Sequence, residues 1–256
     1  MHLLRSSLAP YVLMIAVAVG SSLPSVPVWA QDHDAQDMET ALRLASLLRS
    51  ARSVIASNQD LINDPKGGDK GLTGDHVLEL ASEAYLKANG TAPLYDGQDA
   101  TEARLIAAQM EAIRAVMTEN QATINADGLG FKGFVPAVFG RLVNESFAGL
   151  VGTEARVKVT APQDLVRNRK ALPDEWETKV IESYLMSPDW PKGQVYAELG
   201  EMDGKSAYRV LVPEYYSAGC LSCHGEPAGE IDITGYPKEG GREGDLGGVI
   251  SISIFR

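Results

Sequence analysis

"CLSCHG", residues 220–225, constrains this chain more than any other stretch. It holds the only two cysteines, Cys220 and Cys223, with His224 directly after the second. Pro213, Gly219, Gly225 and Pro227 crowd around it. Proline removes an amide donor and glycine weakens a helix interior, so the motif cannot sit inside a long amphipathic helix. It has to be carried on a short helix or turn. This counts against a four-helix-bundle cytochrome, which needs the motif within a long helix.

Three chemistries use this spacing. Two thiols two residues apart can add to the vinyl groups of a haem, and the histidine that follows then supplies an imidazole to the iron. A thiol–disulfide pair uses the same Cys-x-x-Cys spacing, but leaves His224 without a role. Zinc needs four ligands, and a carboxylate or a distant histidine would have to complete the set. The N-terminus bears on the choice. Arg5, an apolar run from Leu8 to Val19, small residues, and then Val28-Trp29-Ala30 before Gln31 read as a secretory signal over residues 1–30, cut after Ala30. The run is short for a membrane span of about 20 residues, and Pro24 and Pro27 interrupt its continuation. The expected mature chain is therefore exported and periplasmic, without a membrane span. Export suits c-type haem attachment, so one covalent haem c is the expected cofactor.

Lys and Arg total 23 against 34 Asp and Glu, a net charge of −11. Such a chain is not built to bind nucleic acid or an anionic membrane surface. Hydrophobic residues at 45% allow a sizeable core. An α+β fold is expected. Periodicity predicts a helix from Asp34 to about Ile62, a second over "TGDHVLELASEAYLKANG", and a third over "DATEARLIAAQMEAIRAVMTENQATIN". Asp99 and Glu102 make a capping-box-like start to the third. A further helix starts near Pro136. "EARVKVTA" alternates as a strand, and "PQDLVRNRKALP" is a basic loop. "DEWETKVIESYL" is a short capped helix. Two strands flank Met202-Asp203-Gly204-Lys205, a hairpin signal. "DLGGVISISIF" is a last strand.

Three stretches carry a resemblance: "FKGFVPAVFGRLVNESFAGLVGTEARVKVTAPQDLVRNRKALPDEWE", "YRVLVPEYYSAGCLSCHGEPAGEI" and "GDLGGVISISI". Together they resemble the PAS-like c-type haem domain family, found as sensor ectodomains and as free-standing exported proteins. The resemblance covers nearly all of the mature chain and is densest from Gly130 onward. It implies an antiparallel sheet with flanking helices and one covalent haem, with Cys220 and Cys223 as thioether sites and His224 as the proximal iron ligand. The domains expected are a signal peptide at 1–30, a helical N-terminal region at 31–129 and a PAS-like haem domain at 130–256. No transmembrane helix, kinase or methyl-accepting region follows the last strand, so any signal is expected to pass to a separate partner.

Arg167, Arg169 and Lys170 form the best basic cluster of an acidic chain. Haem propionates pair well with arginine, so Arg167 and Arg169 are candidate cofactor contacts. For the distal face, His33 is expected to be disordered and His76 to be an exposed first-turn residue. Met110 and Met117, seven apart, read as core, and Met202 as a hairpin tip. The expected function is redox or gas-ligand sensing. A soluble one-electron carrier is the alternative. An enzyme is not expected, because no distal His–Arg pair of a peroxidase can be read.

Overall fold

A computed structural model describes residues 28–256, with side chains from residue 33 onward. The expected signal region up to Pro27 lies outside the described residues.

Four antiparallel strands form one sheet: β1 (Ala155–Thr160), β2 (Tyr196–Met202), β3 (Lys205–Tyr215) and β4 (Leu246–Phe255), in the order β1-β4-β3-β2. β2 and β3 are the expected hairpin. Met202 pairs with Lys205, and Asp203 and Gly204 have φ of 53° and 73°. Two central residues at positive φ make the tight turn whose twist matches the strands it joins.

The helices are α1 (Val28–Ser57), α2 (Gln59–Asn63), α3 (Gly74–Asn89), α4 (Ala100–Glu119), α5 (Gln121–Ile124) and α6 (Pro136–Val151). α7 (Glu175–Val180) and α8 (Leu221–His224) are short. The strand periodicity explains how the layers meet. Along β4, Ile250, Ile252 and Ile254 join a core shared with the helices, while Ser251 and Ser253 alternate to the other face. Along β3, Tyr208, Val210 and Val212 do the same. That core is continuous with Leu44, Leu48, Ile106, Met117 and Phe147 from α1, α4 and α6. It therefore runs across residue 130 without a break. Val180, Ile181, Leu185, Leu211 and Val249 make a smaller cluster on the opposite face.

Local signals behave as read in most places. Thr73 caps α3 by accepting from the His76 amide, and Gly90 ends it in the left-handed conformation. One cap is only half formed. Asp99 accepts from the amides of Thr101 and Glu102, but the Glu102 side chain turns inward to Arg43, 2.7 Å away. A cation from α1 outcompetes the cap amide for that carboxylate. His33 also departs from expectation, because it belongs to α1. Arg256 holds the first turns of that helix through Asp34 at 2.7 Å and Asp37 at 2.5 Å.

The "PDEWE" and "YR" strings meet across the sheet's outer face. Asp174 and Glu177 close a full capping box on α7. Glu177, fully buried, takes Lys158 Nζ at 2.6 Å. Arg209 of β3, 3% exposed, binds Asp174 at 2.5 Å and lies over the Trp176 ring. Removing the buried carboxylate leaves Lys158 and Arg209 with excess buried charge and opens the cap. Glu177→Ala should lower unfolding stability by about 3 kcal/mol, read from the urea midpoint. A loss below about 1 kcal/mol would show that the outer face does not depend on this residue.

Candidate haem site

The motif lies in the loop between two strand ends. β3 finishes at Tyr215, β4 starts at Leu246, and the loop between them carries the cysteines. Residues 218–220 form a short 3-10 turn that runs directly into α8, Leu221–His224. Cys220, Cys223 and His224 thus sit on one short helical segment. Gly225 follows in an extended conformation, and its amide closes the turn on the Leu221 carbonyl at 2.9 Å. Both thiols are free and partly exposed.

His224 is held on two sides. Its Nδ1 lies 2.9 Å from Oε2 of Glu239. Its ring stacks on Tyr216, with centroids 5.1 Å apart and planes 19° from parallel. Tyr216 in turn occupies a slot made by two glycines. A Cβ at Gly247 would lie 2.2 Å from the ring, and one at Gly241 would lie 2.5 Å from it. Burial pushes the Tyr216 phenol up to about 12, and the charge of Glu239 adds to the rise.

Arg167 is the hub behind the turn, and its three nitrogens all donate to protein acceptors. Nε donates to Glu239 Oε1 at 2.9 Å, Nη1 to Asp232 Oδ2 at 2.7 Å, and Nη2 to the Cys223 carbonyl at 2.9 Å. Its guanidinium also lies over the Tyr236 ring. Asp232 is fixed from the other side by the Thr234 amide and hydroxyl and by the Tyr236 amide. Burial works against the Asp232 charge, yet the bonds from Thr234 and Arg167 and from the two amides hold its carboxyl well below the usual aspartate range. Burial likewise opposes Glu239, and its bonds from Arg167 and His224 keep it below the ordinary glutamate value.

Of the residues singled out from sequence, Cys220, Cys223, His224 and Arg167 come together here. Arg169 is exposed at the head of the next 3-10 turn, which Asn168 caps. Lys170 reaches toward Glu145 at 3.6 Å. Of the distal candidates, His76 is exposed beside Glu79 on α3 and Met117 is fully buried in the helical core. Met110 packs partly buried against that core, and Met202 ends β2 at the hairpin. Sequence reading missed Tyr216, Asp232 and Glu239. Each reaches the motif through the tertiary fold at spacings that no helical or strand period marks.

Among the described residues no group of three or more His, Cys, Asp or Glu side chains is placed to hold a metal ion, which gives zinc no partner set here. The donor set does fit haem. Two unpaired thiols and an imidazole share one turn, and that imidazole keeps Nε2 clear of its Glu239 bond. A Cys-x-x-Cys-His turn at the end of an antiparallel sheet flanked by helices defines a PAS-like c-type haem domain. The chain belongs to the Tll0287-like family, whose model matches residues 95–254 and so takes in α4, α6 and all of the sheet but the last residue of β4. No curated protein and no solved structure matches the chain. It is a haem-binding sensor or binding module, not an enzyme, and its cofactor is a single covalent haem c. Among the described residues no helix is long and apolar enough to cross a membrane.

Two outcomes follow from this geometry. Gly247→Ala drives a methyl group into the Tyr216 ring, so it should cost about 1–3 kcal/mol and shift the haem absorption band. An unchanged band would show that the stack on His224 is not needed to place it. The second concerns acid. The folded pKa of Asp232 is depressed, so its contribution is complete above the unfolded value of 3.8 and is lost as pH falls through the folded value. Asp232→Asn should therefore lower stability by about 2–4 kcal/mol at neutral pH. The gap from the parent should close below pH 3.8 in urea titrations. A gap independent of pH would mean that the charge is not responsible.

Proposed function

We propose that this chain is an exported, periplasmic haem module that senses redox state or a small gas ligand. In this reading Cys220 and Cys223 form the two thioether bonds, and His224 supplies the proximal nitrogen to iron. The observation that carries it is the single turn bearing two free thiols with the imidazole at its end. When bound, the haem supplies an iron centre able to change oxidation state or take a diatomic ligand. The protein's part is to fix the imidazole, to hold the turn through Arg167, and to offer positive charge to the propionates. Arg167 has its nitrogens engaged within the protein, so the exposed Arg169 is the better placed of the two to meet a propionate. The acidic surface suits a basic partner protein that receives the signal.

The test begins with attachment. Protein produced with a periplasmic haem-attachment system should keep its haem through denaturation and organic extraction, and Cys220→Ala with Cys223→Ala should release it. His224→Ala should change the Soret band and the potential. The ferrous protein should take up carbon monoxide or nitric oxide rapidly. An unresponsive low-spin spectrum with fast electron exchange would replace sensing with one-electron transfer. A disulfide between Cys220 and Cys223 in the exported protein would end the haem reading.

A further inference from the structure

The two oxygens of Glu239 are divided between two partners. Oε2 faces His224 Nδ1 at 2.9 Å, and Oε1 accepts from Arg167 Nε at 2.9 Å. The same arginine donates from Nη2 to the carbonyl of Cys223, the residue next to His224. The Glu239 side chain is 16% exposed, so these bonds are largely shielded from water. A carboxylate free to swing would be a poor fixture for a ring. Here Arg167 holds one oxygen still and ties it to the backbone of the motif itself.

We propose that Glu239 is the positioning residue for the iron-ligating imidazole, and that through Nδ1 it sets the electron-donating strength of that ligand. The proposal rests on the reading of His224 as the iron ligand. Three physical steps carry it. First, a carboxylate acceptor at Nδ1 selects the tautomer with its proton there, which leaves the Nε2 lone pair for the metal. Second, the bond and the Tyr216 stack together fix the rotation of the ring. Third, an imidazole donating to a carboxylate is a more basic ligand, which stabilises ferric relative to ferrous iron and lowers the reduction potential. Arg167 shares the same carboxylate, so the imidazole feels only part of its charge.

The experiment uses the holoprotein in three forms besides the parent. Glu239→Gln keeps the shape and an acceptor but removes the charge. Glu239→Ala removes both. Glu230→Gln removes one negative charge from the same loop, where Glu230 pairs with Lys238 and not with the imidazole. Two readouts are taken, the midpoint potential and the hyperfine-shifted ring-proton signals of His224 in the ferric protein. The potential should rise in Glu239→Gln and rise further in Glu239→Ala. The Nδ1 proton should become faster to exchange in the same order, and Glu230→Gln should match the parent in both. Glu239→Gln with haem attached and parent-like potential and ring signals overturns the proposal and leaves the haem reading intact. So does Glu230→Gln moving the potential as far as Glu239→Gln, because the effect would then be net charge alone. A parent from which the haem extracts completely overturns both readings.

Discussion

Arg167 is the contact on which the site depends. A Cys-x-x-Cys-His turn of four helical residues has no fold of its own, since a helix that short cannot offset the entropy of ordering it. It is held because one guanidinium reaches the Cys223 carbonyl, the Glu239 carboxylate and the Asp232 carboxylate together. The planar fork of arginine suits three acceptors set around it, and lysine would replace it with a single point charge. The loop before α7, the turn itself and the segment 232–239 are drawn to one point by that residue.

The sheet supplies the frame. β3 and β4 pair from Ala207 with Phe255 to Tyr215 with Leu246, with one irregularity between Glu214 and Tyr215. The ladder loses its even register just before the motif, where the chain leaves the sheet. The Tyr216 amide then bonds the Asp245 carbonyl at 2.9 Å, and the Gly244 amide bonds the Tyr216 carbonyl at 2.8 Å. The long loop is therefore closed at its base before it carries any chemistry, which limits how far the turn can wander.

Elements governed by short-range rules were legible in the sequence. The Asp203-Gly204 turn, the Asp174–Glu177 box and the Pro136 helix start each depend on neighbours within a few residues, and each is where it was expected. The Cys-x-x-Cys-His string narrowed the chemistry to three, and the export signal turned the reading to haem. What surrounds it was not legible in the same way. "RN" and "PDEWE" marked a family resemblance, but that Arg167 clasps the motif and Asp174 receives Arg209 is set by contacts 35 to 72 residues apart in sequence. The same limit explains Glu102, which carries a capping signal yet turns to Arg43 of a different helix. No local pattern announces which distant cation will arrive.

Two ion pairs that share one carboxylate join the strand that leads into the motif to α1, the longest of the described helices. Glu214 of β3 takes Arg49 at 2.6 Å and Arg52 at 2.7 Å from the C-terminal third of α1. Arg49 is 48% exposed, whereas the Asp232 side chain that anchors the turn has no exposure at all. Mobile ions screen the first kind of contact far more than the second. Ionic strength therefore acts selectively: rising salt weakens the exposed Arg49 arm, while the buried Asp232 bond and the apolar core shared by the long helix and the strand stay engaged.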